Sequence, residues 1–387
     1  MQSYPQKITD AFRGVFSKNP ALVVRAPGRI NLIGEHTDYN DGFVLPAAID
    51  KAIYFAIAPR TDRSCKLYAA DLGDTFEFSL DALKKSSKGW ANFLIGVTSE
   101  LAAAGHVLPH GFEVAFGGDV PNGAGLSSSA AVESGMGYAL SELFGLNVSR
   151  LELALTAQRA EHHFAGVQCG IMDMFASIHG KAHSVIRLDC RDLSYEYFPF
   201  HFSEYQLVLC NSGVKHTLAD SAYNTRRREC ETGVAILKQF YPNVKSLRDV
   251  TQAMVEAHRD DFADNVYRRC CYVTGEIERV VAACEDLKQG DLTAFGQKMY
   301  ETHTGLSQDY EVSCPELDFL VEQTLSDDRI PGARMMGGGF GGCTLNIVPT
   351  VYVSEFIRQM TDVYQAKFHR QLVCYVVEIT EGVEKIN

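Results

Sequence analysis

Three short segments hold the residues whose types and spacing could do chemistry. The first is PNGAGLSSSAA, Pro121 to Ala131. Gly123 and Gly125 admit backbone angles closed to residues with a Cβ, and the serines behind them open a helix whose first N–H groups have no partner within it. Such a helix start attracts an anion, because its exposed N–H groups and its macrodipole both favour phosphate, and a serine hydroxyl can add a magnesium ligand. The same residues also make an ordinary glycine turn with a serine cap. The run lacks Gly-Lys-Ser/Thr, so it is not a Walker motif, and any cationic help for a phosphate must come from elsewhere.

The second segment is APGRINLIGEHTDYNDGFVLPAAI, Ala26 to Ile49, which sets Arg29, Glu35, His36, Asp38, Asn40 and Asp41 between apolar stretches. Carboxylates and imidazoles can bond several hydroxyls at once, which suits a polyol. A polar hairpin with ordinary turn residues is the plain alternative, and Glu-His-x-Asp has no recognised metal-ligand spacing. The third is MMGGGFGGCTLNIV, Met335 to Val348. Its Gly337, Gly339 and Gly342 satisfy G-x-G-x-x-G, but a strand pattern follows where a dinucleotide fingerprint needs a helix. Five glycines in the six positions 337 to 342 instead indicate a loop whose backbone closely approaches a ligand or another segment. Asp173, in CGIMDMFASIHG, reads alone as a helix cap, and Glu161 as a helix surface residue. His162 and His163 point to different faces of one helix, which disfavours a shared metal. Arg226 to Arg228, followed by Glu229 and Glu231, read as a solvated helix face, and Trp90 as a core residue.

These groups must be positioned by the elements around them. Leu22 to Arg25, the alternating Ile53, Phe55 and Ile57, Lys66 to Ala69 and Phe76 to Phe78 predict strands of a half-buried, mainly antiparallel sheet. From about 124 to 165 the pattern is helical, broken at Gly145; Ser149 and Glu152 predict a capping box, and Gly166 a stop beyond Glu161. Ser184 to Leu188 and Tyr205 to Cys210 predict further strands, residues 219 to 305 are mostly helical, and Thr344 to Val348 and Leu372 to Ile379 close the chain as strands. This order predicts an α+β protein of two domains, 1–205 and 206–387, with mixed or antiparallel sheets and a last strand that is a candidate to return to the first domain.

Composition limits what the chemistry can be. The chain has 387 residues, 46% hydrophobic and 22% charged, which excludes disordered and low-complexity classes. A formal charge of −12 excludes a general polyanion binder, so no nucleic acid is expected, although a local phosphate pocket is compatible with it. Eleven scattered cysteines without Cys-x-x-Cys suit reduced thiols in a cytoplasm, and no apolar run or leader pattern calls for a membrane.

In this order along the chain, the three segments resemble the signature motifs of the GHMP kinase superfamily, and GRINLIGEHTDYNDGFVLP resembles the galactokinase signature in particular. SAYNTRRRECE is similar to galactokinases as well, so the resemblance spans essentially the whole chain. It implies the two-domain GHMP kinase fold with the active site in the interdomain cleft. It also implies ATP-dependent phosphorylation of α-D-galactose at the C1 hydroxyl, the entry step of the Leloir pathway. ATP is the implied co-substrate, Mg²⁺ the implied cofactor, and no obligate protein partner is implied. By motif, Asp173 would be the base and Arg29 its charge-stabilising neighbour. Glu35, His36, Thr37, Asp38, Gly170 and Tyr223, together with Asp173, would bind the sugar. Gly123, Ala124, Gly125, Leu126, Ser127, Ser128 and Ser129 would cradle the phosphates, with Gly338 and Gly339 as a further wall, and Ser129 and Glu161 would hold the metal. Met174 departs from the family pattern, which has Gln after the base. An N-acetylgalactosamine kinase and a catalytically silent galactose sensor are the alternatives on the same fold; the uninterrupted GLSSSAA loop favours an enzyme.

Overall fold

The computed structural model describes residues 2–121, 123–214 and 219–386, strand-rich in the first part of the chain and largely helical after it. Helix α1 (Tyr4–Phe16) precedes β1 (Leu22–Asn31), β2 (Phe43–Val44), β3 (Pro46–Pro59), β4 (Ser64–Ala69) and β5 (Asp74–Ser79). Helix α2 (Gly89–Ala103) and β6 (Phe112–Gly118) lead to α3 (Ser128–Phe144), α4 (Arg150–Ala160) and α5 (Met172–His179). Strands β7 (Ser184–Asp189), β8 (Tyr195–Pro199) and β9 (Tyr205–Asn211) come next. They are followed by α6 (Ala219–Phe240), α7 (Gln252–Glu256), α8 (Asp264–Gln289), α9 (Leu292–Thr304) and α10 (Pro315–Leu325). The chain ends with β10 (Gly332–Met335), β11 (Cys343–Pro349), α11 (Val353–Phe368), β12 (Val373–Val377) and β13 (Glu384–Lys385).

The first sheet has the order β13-β1-β3-β6-β4-β5 and is antiparallel except where β4 runs parallel to β6. A second sheet, β10-β11-β9-β12, is antiparallel throughout, and a small one joins β2, β7 and β8. The strand predicted over Leu372 to Ile379 is β12, which pairs with β9 rather than with the first sheet; a further short strand beyond it, β13, crosses back to pair with β1. The expected half-buried sheet is instead covered on both faces at β3. Phe55 faces α3, where Gly135 leaves room for the ring, since a Cβ there would stand 2.3 Å from Phe55 Cε2. Ala56 and Ala58, on the other face, pack with Ile8 and Phe12 of α1. Alternation in β3 therefore distinguishes two cores, not core from solvent.

One large core runs from the first sheet through α2, α3 and α5 to β9, β11 and part of α8, and a second forms around α6, α8 and Tyr310. Ser149 caps α4 by accepting the Glu152 N–H at 3.1 Å, but the Glu152 side chain turns to Arg159 at 2.8 Å, so only half of the capping box forms. After α4 the helix widens into a single π-turn, Glu161–Ala165, and Gly166 ends it at φ +87°. Such wide turns concentrate at functional sites. Trp90 is half-buried: it packs on Phe116 and donates to Asp74 Oδ2 at 3.0 Å.

Candidate active site

Asp173 is the second residue of α5, at the helix end whose partial charge favours a carboxylate. Arg29 holds it as a fork, Nε to Oδ1 and Nη2 to Oδ2, both at 2.7 Å. A register shift in β1 between Pro27 and Arg29 aims the guanidinium. Gly28 permits it, because a Cβ there would stand 2.8 Å from the Leu126 carbonyl oxygen. The buried Ser177 hydroxyl bonds the Pro27 carbonyl at 2.7 Å and fixes α5 to the same bulge. Arg29 also donates to the Gly125 carbonyl, and the Ser127 hydroxyl donates to Asp173 Oδ2. The acid, the cation and the glycine-serine loop thus form one bonded unit.

Beside this unit lies a cavity of about 270 Å³, lined by Arg29, Glu35, His36, Asp38, Asp173 and Tyr223, the loop Gly166 to Gly170, and Gly337 to Phe340. The Glu35 to Asp38 segment is held open by strain and by bonds from behind. Gly34 and His36 have φ of +93° and +63°, the latter costly for a residue with a side chain. Thr37, expected to bind substrate, instead donates its hydroxyl within the turn, at 2.6 Å to the Phe43 carbonyl and 2.9 Å to that of Gly34. It is fully buried and does not line the cavity. Glu35 Oε1 accepts from Arg334 Nη2 at 2.7 Å and from the Gly337 N–H at 2.8 Å, so Oε2 is the oxygen clear of those bonds.

His36 has both ring nitrogens engaged, and burial pushes its pKa down to about 4. It therefore lines the cavity as a neutral ring with no nitrogen spare for a hydroxyl. Burial pushes Asp38 the other way, up to about 6, with the nearby Asp173 adding to the shift. Gly170 is required here by contact, not by angle: a Cβ would stand 1.8 Å from Asp38 Oδ2. Tyr223 packs on the His36 ring at 5.3 Å, and burial, then Asp38 and Asp173, raise its pKa well above the usual phenol range.

Gly123, Gly125 and Ser127 adopt left-handed φ of +74°, +74° and +55°, and α3 starts at Ser128 with no side-chain cap, since the Ser127 hydroxyl is committed to Asp173. This leaves the helix N-terminus to an external anion. Ala124 and Leu126 are buried and shape the loop, whereas Gly123 and Gly125 are exposed. Residues 123 to 129 do not line the cavity itself but meet it through Ser127 and Arg29. Gly338 and Gly339, expected at the phosphates, line the cavity with Glu35 and Asp38; Gly337 and Gly342 are the glycines that lie against the 124–125 backbone, with Cβ positions 3.8 Å from it.

Glu161 is buried, and burial raises its pKa against lowering bonds from Glu133 and then Ser129, while its Oε2 has no partner at hydrogen-bond geometry. Behind it Glu133 is fully buried, and burial, then the Glu161 charge and a bond shared with Glu161, push its pKa well up. The Glu161 oxygen left without a partner fits a divalent cation held between Glu161 and Ser129.

Sequence reasoning missed several supports of the site. Arg334 is fully buried, bonds the Leu32 carbonyl at 2.7 Å as well as Glu35, and was signalled only by a charge inside the apolar run before the glycines. Glu276, 242 residues from Gly34, accepts its N–H at 2.8 Å, a pairing no local pattern reveals. Met174 is 1% exposed in the main core and turned away from the cavity, so the departure from the family's Gln changes packing behind α5.

Residues 10–59 match the galactokinase galactose-binding signature, 92–181 the GHMP kinases N terminal domain and 283–366 the GHMP kinases C terminal domain. The chain is 43% identical over 380 residues to a galactokinase of Roseiflexus sp., covering 98% of this chain and 97% of that one. It is 41% identical over 386 residues to a galactokinase of Bacillus subtilis, covering 98% and 99%. The crystal structure of Lactococcus lactis galactokinase complexed with galactose superimposes with a TM-score of 0.93 at 36% identity over 98% of both chains. The Methanococcus jannaschii mevalonate kinase, at 16% identity and a TM-score of 0.67 over 93% of this chain and 98% of that one, shares the fold.

Proposed function

The chain belongs to the galactokinase family, and on that premise we propose how its own residues carry out the reaction. It is a kinase that transfers the γ-phosphoryl of ATP to the C1 hydroxyl of α-D-galactose, giving galactose 1-phosphate and ADP. The sugar occupies the 270 Å³ cavity with its C1 hydroxyl toward Asp173, and Glu35 and Asp38 accept bonds from its other hydroxyls. Gly170, by lacking a side chain, keeps Asp38 in that position, and His36 and Tyr223, packed on each other, form one wall of the cavity beside the sugar ring.

In the transfer, the new bond forms between the C1 oxygen and the γ-phosphorus, the bond to the β-phosphate oxygen breaks, and the hydroxyl proton passes to Asp173. A carboxylate is a weak base for a sugar hydroxyl, so the proton moves late, after the loose transition state has made the oxygen acidic. Asp173 already accepts three bonds, two from Arg29 and one from Ser127. The Ser127 bond is the one that can yield, because the Arg29 fork retains the orientation of the carboxylate when it goes. Arg29 stays charged throughout and stabilises the developing alkoxide.

The uncapped start of α3 and the glycine loop supply N–H groups to the phosphates of ATP. Ser129 and Glu161 would hold Mg²⁺, which when bound supplies positive charge to the phosphate oxygens; the unpartnered Glu161 oxygen supports this reading. We place the division between the two domains near residue 205, and the protein in the cytoplasm, for which eleven unpaired cysteines argue. Among the described residues no helix is long and apolar enough to cross a membrane.

The observation that carries the mechanism is the Arg29 fork on Asp173 at the wall of a cavity that also holds Glu35 and Asp38. The test is ADP release with ATP, magnesium and a panel of sugars. Turnover of galactose is expected; turnover of N-acetylgalactosamine, mevalonate or homoserine without galactose would overturn it.

A further inference from the structure

Behind the cavity, two tyrosines and a cysteine form a hydrogen-bond chain that the transfer does not use, and its polarity can be deduced. His36 Nε2 lies 3.2 Å from the Gly338 carbonyl oxygen. A carbonyl only accepts, so Nε2 carries the hydrogen. Burial keeps the ring neutral, so Nδ1 is bare and must accept. Its partner, at 2.7 Å, is the Tyr39 hydroxyl, which therefore donates. The Tyr39 oxygen then accepts from the Tyr310 hydroxyl at 2.7 Å, and the Tyr310 oxygen accepts from the Cys230 thiol at 3.1 Å. A single direction runs from Cys230 through Tyr310, Tyr39 and His36 to Gly338.

These residues come from four separate segments: α6, the turn after α9, the sugar loop and the glycine loop. Cys230, Tyr310 and His36 are 1%, 0% and 4% exposed and Tyr39 is half-buried, so water has little access to their bonds. Buried chains of this kind impose one proton arrangement, because reversing any member leaves two donors or two acceptors facing each other. We propose that Tyr39 and Tyr310 are positioning residues for the sugar site: by fixing His36 with hydrogen on Nε2, they hold the glycine loop at Gly338 across the cavity and so set affinity for the sugar. Neither tyrosine lines the cavity, so neither is a catalytic residue. The inference rests on the galactokinase reading for the identity of the sugar, and on geometry together with burial for the state of His36.

The test joins a spectroscopic readout to kinetics. In wild-type protein labelled with ¹⁵N-histidine, the ring nitrogens of His36 report hydrogen on Nε2 and none on Nδ1 between about pH 5 and pH 8. Tyr39→Phe keeps the ring packing and removes the donor. It is expected to disturb that signature and to raise the galactose KM about tenfold, the worth of one buried hydrogen bond, with kcat within about twofold. Tyr310→Phe leaves Tyr39 able to donate and is expected to give a smaller rise, about threefold. A wild-type His36 with hydrogen on Nδ1, or a galactose KM unchanged in Tyr39→Phe, would overturn the proposal. If Tyr39→Phe fails to fold, the wild-type tautomer and Tyr310→Phe still decide. Absence of galactose turnover in the wild type would defeat the galactokinase reading and leave the tautomer result standing, so the two failures are distinct.

Discussion

Gly170→Ala adds one methyl group to the site, and its consequence can be worked from the structure. The new Cβ would stand 1.8 Å from Asp38 Oδ2, 2.5 Å from its Cγ and 3.0 Å from its Cβ. Ordinary contact between such atoms begins near 3.5 Å, so the Asp38 carboxyl has to retreat by about 1.5 Å or more. The backbone of Asp38 cannot follow, since it sits in a short turn pinned by the Thr37 hydroxyl and by Asn40 on the His36 carbonyl at 3.0 Å. The carboxyl must swing instead, and the bonds it makes to the sugar are lost. A hydrogen bond to a charged group contributes about 1.5–3 kcal/mol, so galactose affinity should fall about 10- to 150-fold. The methyl leaves the Arg29–Asp173 fork untouched, so kcat should fall much less. The assay is initial rate against galactose at saturating ATP, with calorimetric binding of galactose alongside. A decisive control is Asp38→Ala, alone and with Gly170→Ala. If the methyl acts only through Asp38, the double variant binds galactose no worse than Asp38→Ala. A galactose KM within twofold of wild type in Gly170→Ala, or losses that add in the double variant, would refute the reasoning.

Other consequences are open to the same kind of check. Asp173→Asn should keep galactose binding in calorimetry while kcat falls about 10²–10⁴-fold, the usual worth of a general base; near-normal turnover removes Asp173 from that role. Arg334→Met strips its cationic partner from buried Glu35 and should cost about 3–5 kcal/mol in urea unfolding, because an uncompensated buried charge remains. The log of kcat/KM for galactose should decline as pH falls through about 6, where Asp38 takes up its proton and stops accepting sugar bonds; a flat profile down to pH ~5 counts against it. Stability should not follow the same curve. Asp38, raised to about 6 from 3.8, contributes stability at low pH that is lost as pH rises through 6. His36, lowered to about 4 from 6.5, has the opposite sign: its penalty is present at low pH and relieved as pH rises through about 4 to 6.5. The two slopes offset, whereas His179, likewise lowered by burial to about 4, adds a third of the same sign as His36, so thermal stability should rise as pH rises through about 4 to 6.5.

What the sequence made legible was local. The glycine-serine run signalled a helix start open to an anion, and α3 begins at Ser128 as that reading requires. Period-two alternation located β3 and β4, and the glycine cluster before Thr344 was rightly separated from a dinucleotide fingerprint because β11 follows it. What was not legible was which polar groups would be spent on the protein itself. Thr37 and His36 are the types a sugar site uses, yet one closes its own turn and the other bonds Tyr39 and Gly338. Asp173 and Glu161 could not be distinguished from a cap and a surface residue without the family resemblance. Their meaning comes from partners 144 residues away in the first case and from burial beside Glu133 in the second. Hydrogen-bond partners at long sequence separation leave no periodicity, so pattern reading does not register them.

The same distance explains why the sugar motif is not by itself a sugar site. GEHTD carries the side chains, but its shape is imposed from the other end of the chain. Glu276 holds the Gly34 N–H at 2.8 Å, Tyr272 bonds the Glu35 carbonyl at 3.1 Å, and Arg334 clasps the Leu32 carbonyl and the Glu35 carboxylate, each at 2.7 Å. The strained φ at His36 persists only because these bonds overdetermine it. The dependence is mutual, since the glycine loop takes its place from the Glu35 bond to the Gly337 N–H and the His36 bond to the Gly338 carbonyl. On the proposed reading, a sugar held by Glu35 and Asp38 should therefore also steady the backbone where Gly337 and Gly342 lie against residues 124 and 125. Sugar and nucleotide binding are on that reading expected to be coupled through these main-chain contacts.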